Sequence, residues 1–173
     1  MAAPNLVDPN FRRAVVLMLE HTDEGALGLV LNRPTPLVAR DALPGRLAGA
    51  LPGEEHVHRG GPVQPDAVIV LADFADPERA AAIAFGSVGI VDPEAEAADL
   101  EGAVRAIRAF GGYAGWAGGQ LEQEIAEEAW IDAAGTSGDV FTREPERLWR
   151  RVLERKGGTF RLVARMPDNP ELN

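Results

Sequence analysis

Two apolar runs dominate the first third of the chain. "AVVLMLEH" (14–21) and "GALGLVLN" (25–32) meet at the turn-forming "TDEG" (22–25). Val15, Leu17 and Leu19 point one way and Val16 and Met18 the other, so both faces are apolar. That pattern predicts a β-hairpin covered on both sides, hence in the middle of a core. "RPTP" (33–36) stops the second strand, because proline cannot donate to a ladder. The 37–53 stretch is weakly helical and broken at Pro44. "HVHRGGPV" (56–63) reads as a strand ending in a turn, and "AVIVLAD" (67–73) and "IAFGSVGIV" (83–91) each read as a strand.

Leu100, Val104 and Ile107 recur at helical spacing, predicting a helix over 97–110 ended by Gly111 and Gly112. Leu121 and Ile125 predict a second helix from about Gly119. "AWIDAA" (129–134) is expected to be a strand. Thr142 then caps a helix that turns Leu148, Trp149, Val152 and Leu153 inward, with Glu144 and Glu146 near its positive end. "GTFRLVARM" (158–166) closes the fold as a strand, and "PDNPELN" is a tail. Strands outnumber helices without strict alternation, so the expected class is α+β, with a single domain over residues 1–173. Val15, Leu17, Leu29, Leu31, Val104, Ile107, Leu121 and Trp149 are expected in one core.

Composition narrows the function. The 173 residues are 46% hydrophobic and 25% charged, enough for one sizeable core without staples. Seventeen basic residues against 27 acidic ones give a net charge of −10. Direct nucleic-acid binding is therefore disfavoured, because phosphate neutralisation by Lys and Arg dominates such affinity. The local basic group Arg147, Arg150, Arg151, Arg155 and Lys156 reads as the solvated face of a helix. No cysteine is present, which removes disulfides, thiolate zinc sites and a cysteine nucleophile. "AVVLML" is too short to span a bilayer, and no secretory start precedes it, so the expectation is a cytoplasmic protein with no membrane association.

Familiar chemistry is scarce. The two serines, Ser87 and Ser137, each miss the nucleophile-elbow pattern by one glycine. His56 and His58, two apart on a strand, would share one face, yet no further ligand cluster accompanies them, so no metal and no cofactor is expected. His21, beside Glu20, reads as a structural hydrogen-bonding group. No phosphate loop or dinucleotide fingerprint occurs.

The remaining motif is "GGYAGWAGGQLEQE" (111–124). On one reading Gly112, Gly115 and Gly118 let another element's backbone come close while Tyr113 and Trp116 fill the space beside it. On the other, Tyr113 and Trp116 wall a pocket whose polar groups are Gln120 and Glu122. Together with "DPNFRRAVVLMLEHTDEGALGLVLNRP", "GGPV", "LWR" and "PDNPELN", this motif resembles the AlgH/YqgE family of bacterial proteins across nearly the whole chain. The resemblance implies a mostly antiparallel, barrel-like or bifurcated sheet surrounded by helices, in a cytosolic protein of unestablished activity. It also implies a strand before "DPNF", represented here only by "MAAPNLV". Some members carry a transcriptional-regulator label, with no DNA-binding motif behind it. The matching positions include Asn32, Arg33, Gly60, Gly61, Pro62, Tyr113, Gly115, Trp116, Gln120, Glu122 and Trp130, which are the candidate pocket residues. The leading expectation is a non-catalytic binding or regulatory protein with a small ligand or protein partner. The alternative is an enzyme, such as a hydrolase, using Glu122 with Glu20 or His21 as acid or base.

Overall fold

The computed structural model describes residues 1–166, so the predicted "PDNPELN" tail lies outside the described residues. The hairpin forms as expected: β1 (Val16–Thr22) and β2 (Gly25–Val30) pair antiparallel, with Leu17 opposite Leu29 and Thr22 opposite Gly25. Two short helices, α1 (Ala39–Ala42) and α2 (Gly45–Ala48), flank Pro44. Pro34–Val38, expected only to end a strand, is itself strand β3, paired with β4 (His56–Arg59). Its prolines are tolerated because β4 is its sole partner in the sheet.

The largest departure lies at 97–117. Only α3 (Ala97–Leu100) is helical, and Val104–Ala117 is a single 14-residue strand, labelled β8 below. It is buried on both faces over 107–110, where a near-continuous apolar run has no alternation to betray a strand. Three further strands precede it in the chain: β5 (Val63–Phe74), β6 (Ala82–Phe85) and β7 (Val88–Ile90). The 83–91 segment is thus a hairpin turning at Gly86 (φ +52°) instead of one strand.

Strand β8 organises the sheet. Along one edge it pairs antiparallel with β5, from Val104–Phe74 to Tyr113–Val63. Its other edge is divided, taking β4 in parallel at Phe110 and Gly111 and then β2 antiparallel at Ala114–Ala117. The order β1-β2-β8-β5-β7-β6 brings the two outer strands near one another, so the sheet is a nearly closed, mostly antiparallel barrel. The class is α+β, as the strand-rich order implied.

The helices α4 (Gln120–Ala126), α5 (Ser137–Val140), α6 (Pro145–Lys156) and α7 (Phe160–Val163) follow. Helix α6 buries Leu148, Trp149, Val152 and Leu153 as its spacing predicted. Its N-cap is Glu144, without a side-chain cap bond, and not Thr142, whose hydroxyl instead accepts from Glu144 N just upstream of the helix. Residues 158–166 are not a strand: Phe160–Val163 makes a single helical turn flanked by turns. Phe160, Val163 and Ala164 pack inward at a spacing of three and four, whereas Leu162 is 69% exposed. "AWIDAA" contributes one bridge, Ala2 to Trp130. The first residues are tied down far along the chain: the Met1 amino group donates to Ile131 O, Ala3 N to Ala129 O, and Trp149 Nε1 to Ala2 O.

The expected single core is divided. Val15, Leu29, Leu31 and Trp149, with Leu17 beside them, pack with Leu71 and Phe110 on the α6 face. Ile107 and Val104 belong to the opposite face, with Val70, Ala72, Phe74 and Leu47. Leu121 joins a third group with Trp116. Placing Val104 and Ile107 on a strand, not a helix, is what separates them from Leu29.

Candidate functional site

The glycine–tryptophan motif spans the end of β8 and the start of α4. Its indole, Trp116, meets Trp130 edge to face at 5.7 Å, and Phe11 packs on both. Both indole N–H groups donate to Oε2 of Glu124, at 2.9 and 2.7 Å. Gln120 Nε2 donates to Glu124 Oε1 at 2.8 Å, and Gln120 Oε1 accepts from Ala117 N. Burial pushes the Glu124 carboxyl up, but the bonds from Trp130, Gln120 and Trp116 outweigh it and hold the group below its usual range. Glu124 is thus an anchor that locks α4 onto β8. Trp116, Leu121 and Trp130 also line a narrow cleft of about 180 Å³ with Met1, Val16, Met18 and Ile125.

The glycines do unequal jobs. A Cβ on Gly61 would lie 2.1 Å from the Tyr113 carbonyl carbon, and one on Gly60 would lie 2.2 Å from Gly112 O. Gly112 itself has φ +68°, and its Cβ would sit 2.8 Å from Gly61 O. Gly60, Gly61 and Gly112 therefore form a backbone-on-backbone crossing where β8 passes the end of β4. Gly118 similarly faces Asp23 O at 2.5 Å. Gly115 does not: its nearest neighbour, the Tyr113 ring, stands at an ordinary 3.6 Å.

Glu122 turns away from this anchor to contact His21 Nε2 at 2.5 Å, pinning the hairpin end to α4. Both side chains are about half exposed (46% and 53%). Its carboxyl is held below the usual range by the helix-end backbone N–H and by His21. Neither residue lines any of the four clefts described, and Glu20 takes no part in the pair.

Asn32 and Arg33 lie elsewhere, at the foot of a wider cleft. Asn32 is buried; its Oδ1 accepts from Val15 N and its Nδ2 donates to Arg13 O, both at 2.9 Å. Arg33 donates to Asn32 O and Arg12 O. The pair thereby clips the Arg12–Arg13 turn in place, with Arg13 held at φ +54°. The Arg13 guanidinium lies over the Trp149 ring, 4.7 Å from its centroid. Helix α6 supplies the opposite wall with Arg147, Arg150 and Arg151. The resulting groove of about 830 Å³ is lined by six arginines, Arg12, Arg13, Arg33, Arg147, Arg150 and Arg151, against three glutamates, Glu144, Glu146 and Glu154. Burial, with Arg59 nearby, pulls Arg33 below its ordinary pKa.

The profile of the AlgH-like family (DUF179) matches residues 1–161. The chain belongs to the AlgH-like family. A UPF0301 protein of Streptomyces coelicolor is 49% identical over 100% of this chain and 92% of its own length. A UPF0301 protein of Chlorobaculum tepidum is 39% identical with the same coverage. Among solved structures, a Corynebacterium diphtheriae protein superposes with TM-score 0.87 at 25% identity, covering 95% of this chain and 88% of that one. The AlgH protein from Pseudomonas aeruginosa, solved in solution, gives 0.72 at 29% identity, covering 98% and 92%. These AlgH-like neighbours share the fold described above.

The candidate residues thus do not converge on one site. Trp116, Gln120 and Trp130 belong to the anchor region, and Gly60, Gly61 and Pro62 to the strand crossing. There Tyr113 meets Gly61 and turns its ring to the α6-face core, away from Trp116, so the two do not wall one pocket. Asn32 and Arg33 belong to the arginine groove, Glu122 stands apart with His21, and Gly115 is exposed on β8. Sequence reading missed Glu124, which a Gln–Glu pair four apart on a helix and two nearby tryptophans could have signalled. It also read Arg147, Arg150 and Arg151 together with Arg155 and Lys156. The helix separates them in part: Arg155 donates to Asp139 and Lys156 to Asp132, whereas the first three line the groove. Of these, Arg147 is paired with Glu144, and Arg151 donates to Gly138 O within 3.7 Å of Asp139. Three-dimensional convergence with the "FRR" turn carries no local signal. Among the described residues no group of three His, Cys, Asp or Glu could hold a metal, and no helix is long and apolar enough to cross a membrane.

Proposed function

We propose that the protein is a non-catalytic binding module whose arginine groove receives an acidic segment of a protein partner. The observation that carries this reading is the placement of Arg33, Arg147, Arg150 and Arg151 around one concave site of a chain whose net charge is −10. Arginine suits bidentate capture of carboxylates, and its planar fork fixes their orientation. A duplex nucleic acid would extend beyond the groove, bringing one phosphate per about 1.7 Å of axis against an acidic surface and the rim glutamates. A short acidic segment places its charges only where the arginines are. A regulatory role would act through such capture.

Calorimetric titration with a hexaglutamate peptide and with a duplex oligonucleotide, at low and physiological salt, tests the reading. Binding of the peptide that weakens with salt and is lost in an Arg147→Glu/Arg150→Glu variant supports it. Absence of peptide binding at low salt, or tighter binding of the duplex than of the peptide, overturns it. The acid–base alternative has the 2.5 Å His21–Glu122 contact in its favour. It would need a substrate that reacts on an open surface, because no described cleft adjoins the pair.

A further inference from the structure

A second polar site lies beside the arginine groove and is independent of it. Strand β4 sets His58 opposite Phe110 of β8, with ring centroids 5.8 Å apart. Arg108, two residues before Phe110, lies on the same face. Both side chains are buried, at 4% and 5% exposure. Arg108 donates Nε to Glu55 at 2.6 Å and Nη1 to the carbonyls of Val140 and Thr142 at 2.9 Å. Among the described residues its Nη2 finds no acceptor. His58 Nδ1 contacts His56 O at 3.2 Å. A carbonyl can only accept, so Nδ1 carries the proton and Nε2 presents a lone pair. That Nε2 is buried and has no partner. Burial and the neighbouring Arg108 charge keep the ring neutral.

A buried acceptor left unpaired is costly and rare in folded proteins. Here it occurs beside spare donor capacity, and both residues border one cleft of about 390 Å³. Pro34, Pro52 and Pro145 form rigid walls, and Glu54, Thr142 and Arg143 complete the rim. Arg108 and Arg143 are balanced by Glu54 and Glu55, so recognition in this cleft rests on hydrogen bonding more than on net charge. From this juxtaposition we infer that the cleft binds a small oxyanion that retains an adjacent hydroxyl. The anionic oxygen accepts from Arg108 Nη2, and the hydroxyl donates to His58 Nε2. A 2-hydroxycarboxylate and a protonated phosphate both carry this chemistry.

The three histidines of the chain make imidazole nitrogen NMR a direct readout. Glycolate and inorganic phosphate are titrated at pH 7, each against its hydroxyl-free counterpart, acetate and sulfate. The expected result is a saturable shift of His58 Nε2 toward the hydrogen-bonded position with glycolate or phosphate, at least tenfold weaker with the counterpart. Which of the two responds identifies the source. His58→Phe, which can still pack on Phe110, should bring the hydroxyl preference close to one. Should that variant fail to fold, the wild-type spectrum alone decides. Arg147→Glu/Arg150→Glu leaves the response unchanged, so this site and the groove can fail separately. Equal responses to each pair, no response to either hydroxylated anion, or an Nε2 already hydrogen-bonded to water and unmoved, would overturn the assignment.

Discussion

The indoles of Trp116 and Trp130 meet edge to face and give both N–H groups to a single carboxylate oxygen, on Glu124. The carboxylate is thus shared between the end of the longest strand and the segment after α4. Its loss strands two indole donors at once, one of them on a buried ring. Glu124→Ala is expected to cost about 1–3 kcal/mol in urea unfolding, the range for orphaned buried donors. Glu122→Ala, two positions away but facing solvent, should leave the urea midpoint unchanged. Equal losses in the two variants would refute the anchor role.

The glycines of the crossing make a sharper contrast. Gly61→Ala puts a methyl 2.1 Å from a backbone carbon that cannot rotate away. It should destabilise by about 1–3 kcal/mol or more, as overpacking does. Gly115→Ala meets only side chains at ordinary contact, the Tyr113 ring at 3.6 Å and Val63 at 3.8 Å, and should stay within about 0.5 kcal/mol of wild type. Thermal unfolding of the two variants side by side checks this.

Stability should depend on pH through His58. Burial and Arg108 lower its pKa from 6.5 to about 4, against smaller opposing contributions from the His56 carbonyl and Glu55; the His56 side chain adds to the lowering. Above pH 6.5 the ring is neutral in both folded and unfolded chains. Between 6.5 and 4 the unfolded chain takes up a proton that the folded one refuses, so stability falls with falling pH across that window. At about 1.4 kcal/mol per unit the loss approaches about 3 kcal/mol. His58→Phe should flatten the unfolding free energy between pH 6.5 and 4. A variant whose slope matches wild type there would count against a neutral, buried imidazole.

Asp139 provides a buried ion-pair test. It is 3% exposed and accepts two hydrogen bonds from Arg155 and two from Thr136. Burial raises its carboxyl, but Arg155 and Thr136 outweigh that and hold it below the usual range. Asp139→Asn should cost about 2 kcal/mol, less than the about 3–5 kcal/mol for breaking a fully buried pair, because Arg155 reaches water. The stabilisation from the ionised Asp139 is present above its ordinary carboxyl pKa and lost as pH falls below it. Urea melts of the variant at pH 7 and pH 3 should therefore differ from wild type much less at pH 3.

How much of this was legible in the chain depended on where each element sits. The β1–β2 hairpin was readable because a turn separates two short, doubly apolar runs, and helix α6 because one face is apolar and the other charged. Val104 and Ile107 misled because a strand buried on both faces shows no alternation, leaving their three-residue spacing to imitate a helix. Phe160, Val163 and Ala164 misled in the opposite direction, a single helical turn too short to establish its period. At the site level, "NRP" and the glycine–tryptophan motif marked real structural junctions. The arginine groove was hidden because its six side chains come from residues 12 to 151 and converge only through tertiary structure. His56 and His58, expected on one side of a strand, differ in burial because β4 is short and β8 covers only part of it.

The bonds that tie the first three residues to Ala129, Ile131 and Trp149 also bear on the order of folding. During synthesis, residues 1–3 emerge long before the positions that hold them. Closing a loop of that length precedes any gain from its contacts, so this part of the molecule forms late. The β1–β2 hairpin can pair locally, yet its β8 partner and the α6 residues that cover its face also lie far downstream. A ribosome-bound chain stopped before α6 therefore exposes the apolar inner face of that hairpin, and such nascent species are the ones that aggregate.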